Sequence, residues 1–280
     1  MKNRQADRIR CSTNSFSESV HTERTAVPMT KKADFRFYEE LNDFLPPERR
    51  KTWFAYEFTG KPSVKDAVEA IGVPHAEIDL ILVNGESVDF SHHLGDCDRI
   101  SVYPVFESLD ISPVTRLRPH PLREPRFILD VHLGGLARNL RLLGFDTLYE
   151  NDYDDPDIVA IALRDRRIIL TRDVGLLKNG SVTHGYWIRN TNTREQLGEV
   201  IGRFDLAGSI RPFSRCLVCN GDIVPVPKDS VAATLEPKTR ENFDEFFRCE
   251  SCGKVYWKGS HYERMRQFVE KISGNTPEPR

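Results

Sequence analysis

Two aspartates close apolar runs of strand character: Phe127-Ile128-Leu129-Asp130 and Ile168-Ile169-Leu170-Thr171-Arg172-Asp173. Between them lies an acid-dense loop, Asp152-Tyr153-Asp154-Asp155-Pro156-Asp157. Parallel strands bring the residues just past their carboxyl ends to one edge of a sheet, so Asp130 and Asp173 are expected to share that edge. Two carboxylates held about 4 Å apart repel by roughly 4 kcal/mol at an effective dielectric of about 20. Such a pair persists when a proton is shared or a cation sits between. Oxygen ligands with open positions suit Mg²⁺ or Mn²⁺, ions that activate water and stabilise the leaving oxygen of a phosphodiester. Cations for a phosphate backbone stand nearby: Arg138 and Arg141, three apart on one helix face, and Arg172 and Lys178 flanking Asp173. A solvated face is the competing account of these four. His132, two residues past Asp130, reads as a packed histidine.

A second chemical group lies further on. Cys216-Leu217-Val218-Cys219 and Cys249-Glu250-Ser251-Cys252 form two Cys-x-x-Cys pairs separated by residues 220–248, a gap that a hairpin insertion accommodates. Four thiolates favour a closed, structural Zn²⁺ site with no position left for chemistry. Beyond them come Lys254, Tyr256, Trp257, Lys258, His261, Tyr262, Arg264 and Arg266. Aromatics interleaved with cations suit single-stranded RNA, with Lys258 and Arg264 as the RNA contacts. Trp257 is expected to pack the module onto its neighbour.

The elements that must position the acids follow from periodicity. Strand 126–131, helix 133–143, strand 146–149, helix 156–165, strands 167–171 and 185–189 and helix 194–206 alternate as in a mainly parallel sheet covered by helices. Pro156 suits a first helical turn with Asp155 as cap, placing Asp157 inside that turn. Earlier, residues 34–106 give two alternating strands, a helix opening at Ser63 and further strands at Leu80–Val83 and Arg99–Tyr103. That order fits a β-grasp. With Val83-Asn84-Gly85-Glu86 it resembles the ubiquitin-like sulfur carriers, although the chain runs on past the position of their reactive carboxylate.

The expected architecture is therefore α/β. A disordered tail (1–33) precedes the β-grasp domain (34–106) and a Pro-rich linker (107–125). A parallel α/β domain (126–214), a zinc ribbon (215–268) and a flexible tail (269–280) complete the chain. The net charge of −2 gives no global nucleic-acid signature, so local patches must carry one. No apolar run reaches a membrane span, the N-terminal stretch lacks a secretory core, and the paired cysteines fit a reducing compartment. A cytoplasmic protein is expected.

Leu133-Gly134-Gly135-Leu136-Ala137-Arg138-Asn139-Leu140-Arg141-Leu142-Leu143-Gly144-Phe145-Asp146, with Leu170-Thr171-Arg172-Asp173, resembles the PIN-like ribonuclease family named after the C-terminal domain of the Mut-seven exonuclease. Bacterial members carry a ubiquitin-like unit before and a zinc ribbon after the nuclease, the order inferred here. Members commonly have a basic residue where Gly135 stands and an aromatic where Asn139 stands, which thins the basic stripe in this chain. The resemblance implies a PIN-like fold and metal-dependent, endonucleolytic cleavage of RNA. It carries Asp130 and Asp173 over as catalytic acids that bind Mg²⁺ or Mn²⁺, with Asp157 as the third and Asp154 and Asp155 as competitors for that place. The accessory units would select RNA or a protein partner. The alternative is a non-catalytic RNA- or ribosome-binding adaptor that keeps the fold.

Overall fold

The computed structural model describes residues 29–104, 115–117 and 125–274. The expected N-terminal tail before Met29, most of the linker and residues 275–280 of the expected C-terminal tail lie outside this set. The first unit holds β1 (Lys31–Phe37), β2 (Phe54–Phe58), α1 (Val64–Ile71), β3 (Ile78–Val83), β4 (Glu86–Ser87) and β5 (Arg99–Pro104). Its sheet runs β2-β1-β5-β3-β4, with β1 and β5 parallel at the centre, which is the β-grasp. Alternation along β1 buries Phe35 and Phe37. Ser63 and Asp66 close a reciprocal capping box at the start of α1, as the sequence predicts.

The second unit contains β6 (Phe127–Leu129), α2 (Gly134–Leu142), β7 (Thr147–Leu148), α3 (Asp155–Asp165), β8 (Ile168–Thr171), α4 (Val174–Leu177), β9 (Gly185–Trp187) and α5 (Thr193–Arg203). All pairings in its sheet, ordered β7-β6-β8-β9, are parallel. Strands buried on both faces read as continuous apolar runs, and these do. Phe127, Leu129 and Leu170 join α2 and α5 in one core; Ile128 and Ile169 join α3 and α4 in the other.

The cysteine module has β10 (Ile223–Val226), α6 (Pro237–Asn242), β11 (Phe246–Cys249), β12 (Val255–Trp257) and α7 (Ser260–Gly274). The gap between the cysteine pairs is more than a hairpin: it also carries α6. The helix α7 runs past the expected end of the ribbon at 268, with Val269 buried in the core shared with α2 and α5.

The β-grasp unit packs on the β9 side of the parallel sheet. Ala76 enters the core of α3 and α4, His75 Nε2 contacts Val182 O at 2.8 Å, and Phe44 meets Trp187 with ring centroids 5.2 Å apart. Thr115 and Leu117, within the predicted linker, also lie against the β-grasp unit: the Thr115 hydroxyl donates to Asp79 O at 2.6 Å.

Candidate active site

The parallel sheet sets the carboxyl ends of β7, β6 and β8 side by side. Asp130 follows β6, and its N–H donates to Leu170 O at 3.1 Å, which extends the register Leu129↔Leu170 by one step. Its side chain is buried, and the Thr171 hydroxyl donates to Oδ2 at 2.8 Å. The same Thr171 oxygen accepts from the Asp173 N–H at 2.8 Å. One fully buried hydroxyl thus fixes both acids. Asp173 caps α4, its Oδ1 accepting from Gly175 N–H at 2.7 Å. Asp130 Oδ1 and Asp173 Oδ2 accept no hydrogen bond from the described residues.

The third acid comes from the start of α3, and here the cap is Asp154 rather than the expected Asp155. Its Oδ1 accepts from Asp157 N–H at 2.9 Å. Pro156 therefore takes the second helical position, where its missing amide leaves Asp157 N–H, three residues past the cap, as the donor. Asp155 stands in the field of the other two acids. Partial burial, then Asp173, then Asp130 raise its carboxyl above the ordinary range. Asp157 is exposed and contributes its amide to the cap. Asp130 and Asp173 thus share the carboxyl edge with Asp155 in the field of their charge, while Asp157, the expected third acid, gives its amide to the Asp154 cap.

These are hard oxygen donors, with one oxygen of Asp130 and one of Asp173 uncommitted, and they fit a divalent ion that keeps part of its water shell. They stand wider apart than the cysteines: among the described residues the cluster of ligand atoms within 4.8 Å of one another is the cysteine one. Thr171 had no role assigned from sequence. Its place in Thr-x-Asp after a buried strand was the available signal. Gly134 matters for close approach, since a Cβ there would meet the Tyr149 hydroxyl at 2.7 Å, and that hydroxyl holds Val131 O at 2.9 Å.

The predicted phosphate contacts divide sharply. Arg138 and Arg264 are exposed and have no ion-pair partner among the described residues. Arg141 is buried. Its guanidinium donates to Thr147 O and Val218 O at 2.8 Å each and to Tyr149 O at 3.2 Å, so it is a structural tie and not a phosphate ligand. The 100° step of a helix placed it near Arg138 in projection, but three residues carry it to the edge of the buried face. Arg172 donates to the carbonyls of Arg189 and Asn190, and Lys178 to Glu69 O at 3.3 Å in the β-grasp unit. Lys258 is paired with Glu245. His132, expected to be packed, is exposed at the acidic edge, and Trp257, also expected to be packed, is 39% exposed.

Cys216, Cys219, Cys249 and Cys252 converge, with Sγ atoms 3.7 Å apart for Cys216 and Cys252 and 3.4 Å for Cys219 and Cys249. Tetrahedral zinc with bonds of about 2.3 Å places its sulfurs roughly 3.7 Å apart, so the cluster fits that ion. The Tyr256 hydroxyl lies 3.0 Å from Cys216 Sγ. The module is docked by a polar network: Asn220 Oδ1 accepts from Thr147 N–H at 2.9 Å, and Asn220 Nδ2 donates to Asp146, which also holds Arg167 at 2.7 Å.

Comparison with known proteins matches two family models to this arrangement, the Mut7-C RNAse domain over residues 125–269 and the Mut7-C ubiquitin domain over residues 30–110. The chain belongs to the Mut7-C ribonuclease family. The Mut7-C RNAse match spans the three acids and the four cysteines as one unit, in keeping with the core that α7 shares with α2 and α5. Two crystal structures of small archaeal modifier protein 1 from Haloferax volcanii are similar to the chain, at 14% and 15% identity. They match over 99% of their own length and 27% and 28% of this one, with TM-scores of 0.22 and 0.23. No curated protein matches. Among the described residues of this Mut7-C chain, no helix is long and apolar enough to cross a membrane.

Proposed function

We propose that the protein is a metal-dependent ribonuclease that hydrolyses RNA phosphodiester bonds, cutting at internal positions rather than at ends. The observation that carries this reading is the pair Asp130 and Asp173 at the carboxyl edge of a parallel sheet, both tied to Thr171, with Asp155 close enough to feel their charge. Mg²⁺ or Mn²⁺ bound by these acids supplies an activated water and charge stabilisation at the leaving oxygen. Asp130 is held in one orientation by Thr171, and its Oδ1 would be the oxygen available to hold such an ion. Asp173 is held by Gly175 and leaves Oδ2. Asp155, whose proton affinity its neighbours raise, gains most from a cation that relieves their repulsion. The four cysteines would hold a structural zinc ion of their own. The exposure of Asp155 and Asp173 at this edge suits a phosphodiester inside a chain as substrate.

The test is cleavage of mixed RNA in Mn²⁺ by the wild type and by Asp130→Asn. Wild-type cleavage that falls on the order of a hundredfold in the variant supports the reading. Equal cleavage by both proteins, or none by either, sinks it in favour of a non-catalytic RNA-binding adaptor.

A further inference from the structure

Two cavities meet along α2. The wider, about 730 Å³, lies between α2, β12 and the first turns of α7. The narrower, about 360 Å³, continues between α2 and α7 to Gly135 and Thr193. Arg138, Leu217, Arg264 and Met265 line both, so the two are one groove.

Its charge is the telling property. The chain carries 42 acidic residues against 40 basic ones, yet among the described residues no Asp or Glu lines either cavity. Lys228, Lys258, Arg215 and Arg266 in the same module are each paired with a carboxylate. Arg138, Lys254 and Arg264, which line the groove, have no such partner among the described residues. Unpaired cations on a concave surface free of acids concentrate anions there. The floor is apolar, with Leu217, Met265 and Phe268, and the Trp257 ring stands exposed at the wide end. Rings and apolar floor suit base faces, which a duplex hides in its own stack and a single strand presents.

The narrow end favours RNA over an acidic peptide. Gly135 lies in the first turn of α2, and Thr193 opens α5 just beyond β9. Both stand at the carboxyl edge of the sheet, the edge that carries Asp130 and Asp173. A strand lying in the groove is thus led to the acids, a placement with no purpose for a peptide ligand.

We propose that this groove binds single-stranded RNA, with phosphates on Arg138 and Arg264 and a base on Trp257, and delivers it to the acidic edge. The delivery rests on the reading of that edge as the site of RNA hydrolysis; the binding does not.

Binding of a labelled, unstructured oligouridylate to the full, zinc-loaded chain, read by fluorescence anisotropy in Ca²⁺, tests the proposal. The double charge reversal Arg138→Glu with Arg264→Glu is expected to weaken binding at least tenfold and to reduce the slope of log affinity against log salt by about 1.4, two single-strand phosphates' worth. Trp257→Ala weakens it roughly tenfold, the scale of one lost stacking contact. Arg240→Glu, an exposed reversal on α6 outside the groove, leaves it unchanged. Zinc content and the unfolding midpoint confirm that the variants fold. Wild-type affinity and salt slope in the double reversal overturn the proposal, as does tighter, Arg138- and Arg264-dependent binding of poly-glutamate than of RNA. Groove-dependent RNA binding without cleavage in Mn²⁺ keeps the groove and removes only the hydrolytic reading.

Discussion

Asp155 and Asp157 occupy the first and third positions of α3, and at about 100° per residue their side chains point roughly 200° apart. Only one of them can face Asp130 and Asp173. The field of Asp173 and Asp130 at Asp155 favours that residue, while the amide of Asp157 serves the Asp154 cap. We therefore expect Asp155→Asn to lower Mn²⁺-dependent RNA cleavage at least tenfold and Asp157→Asn to change it less than twofold, in the range of 10–100-fold losses seen around metal sites. Initial rates at several Mn²⁺ concentrations decide between them, because loss of a metal-facing acid also raises the Mn²⁺ needed for half-maximal rate. A greater loss in Asp157→Asn than in Asp155→Asn would reverse the assignment.

At the scale of elements, the cysteine module and α2 are joined through Arg141. Its guanidinium reaches carbonyls on β7, on the turn after it and on the first cysteine loop. Burial lowers its pKa, and the nearby Glu150 opposes that. Arg141→Met strands those carbonyls and should lower stability by on the order of 3 kcal/mol, read as a fall in the denaturation midpoint and faster zinc release to a chelator. An arginine acting on RNA phosphate would instead leave stability intact and reduce the salt dependence of binding. This contrast marks what the chain discloses locally. Asp130 and Asp173 were legible because each closes an apolar strand, and parallel pairing fixes which end an acid after a strand must occupy. The cysteines were legible because a metal needs four ligands whatever lies between them. Arg141 was not, because its acceptors at 217 and 218 are distant in sequence and only packing shows that they lie over α2. Trp257 failed in the opposite direction: its hydrophobicity predicts burial, but the groove leaves it uncovered.

At the scale of the whole molecule, the β-grasp and parallel-sheet units meet around one buried carboxylate, a feature that no single unit's pattern could reveal. Glu77 is fully buried, accepts from Trp187 N–H at 2.5 Å and faces Arg189 at 3.3 Å. Arg189 is also held by Asp43 at 2.7 Å and lies over the rings of Phe44, Tyr186 and Trp187, so it stays charged and Glu77 is the member that titrates. Burial moves the Glu77 pKa from the ordinary 4.5 up to about 7, against the pull of Arg189. Between those values the folded, docked protein binds a proton that the unfolded chain has released. Stability from this group is therefore present in full below about pH 4.5 and falls as pH rises, the loss being complete above about pH 7 and on the order of 3 kcal/mol. His75, pushed below 6.5 by burial, contributes the opposite slope in acid, so the comparison must be made by difference. Glu77→Gln mimics the protonated form at every pH. Chemical denaturation from pH 5 to pH 8 should show wild type losing stability relative to Glu77→Gln as pH rises, most steeply near the middle of the interval between the two pKa values, at about pH 5 to 6.5. Parallel pH profiles for the two proteins would mean that Arg189 holds Glu77 ionised throughout, and the junction would then be a fixed ion pair insensitive to pH in this range.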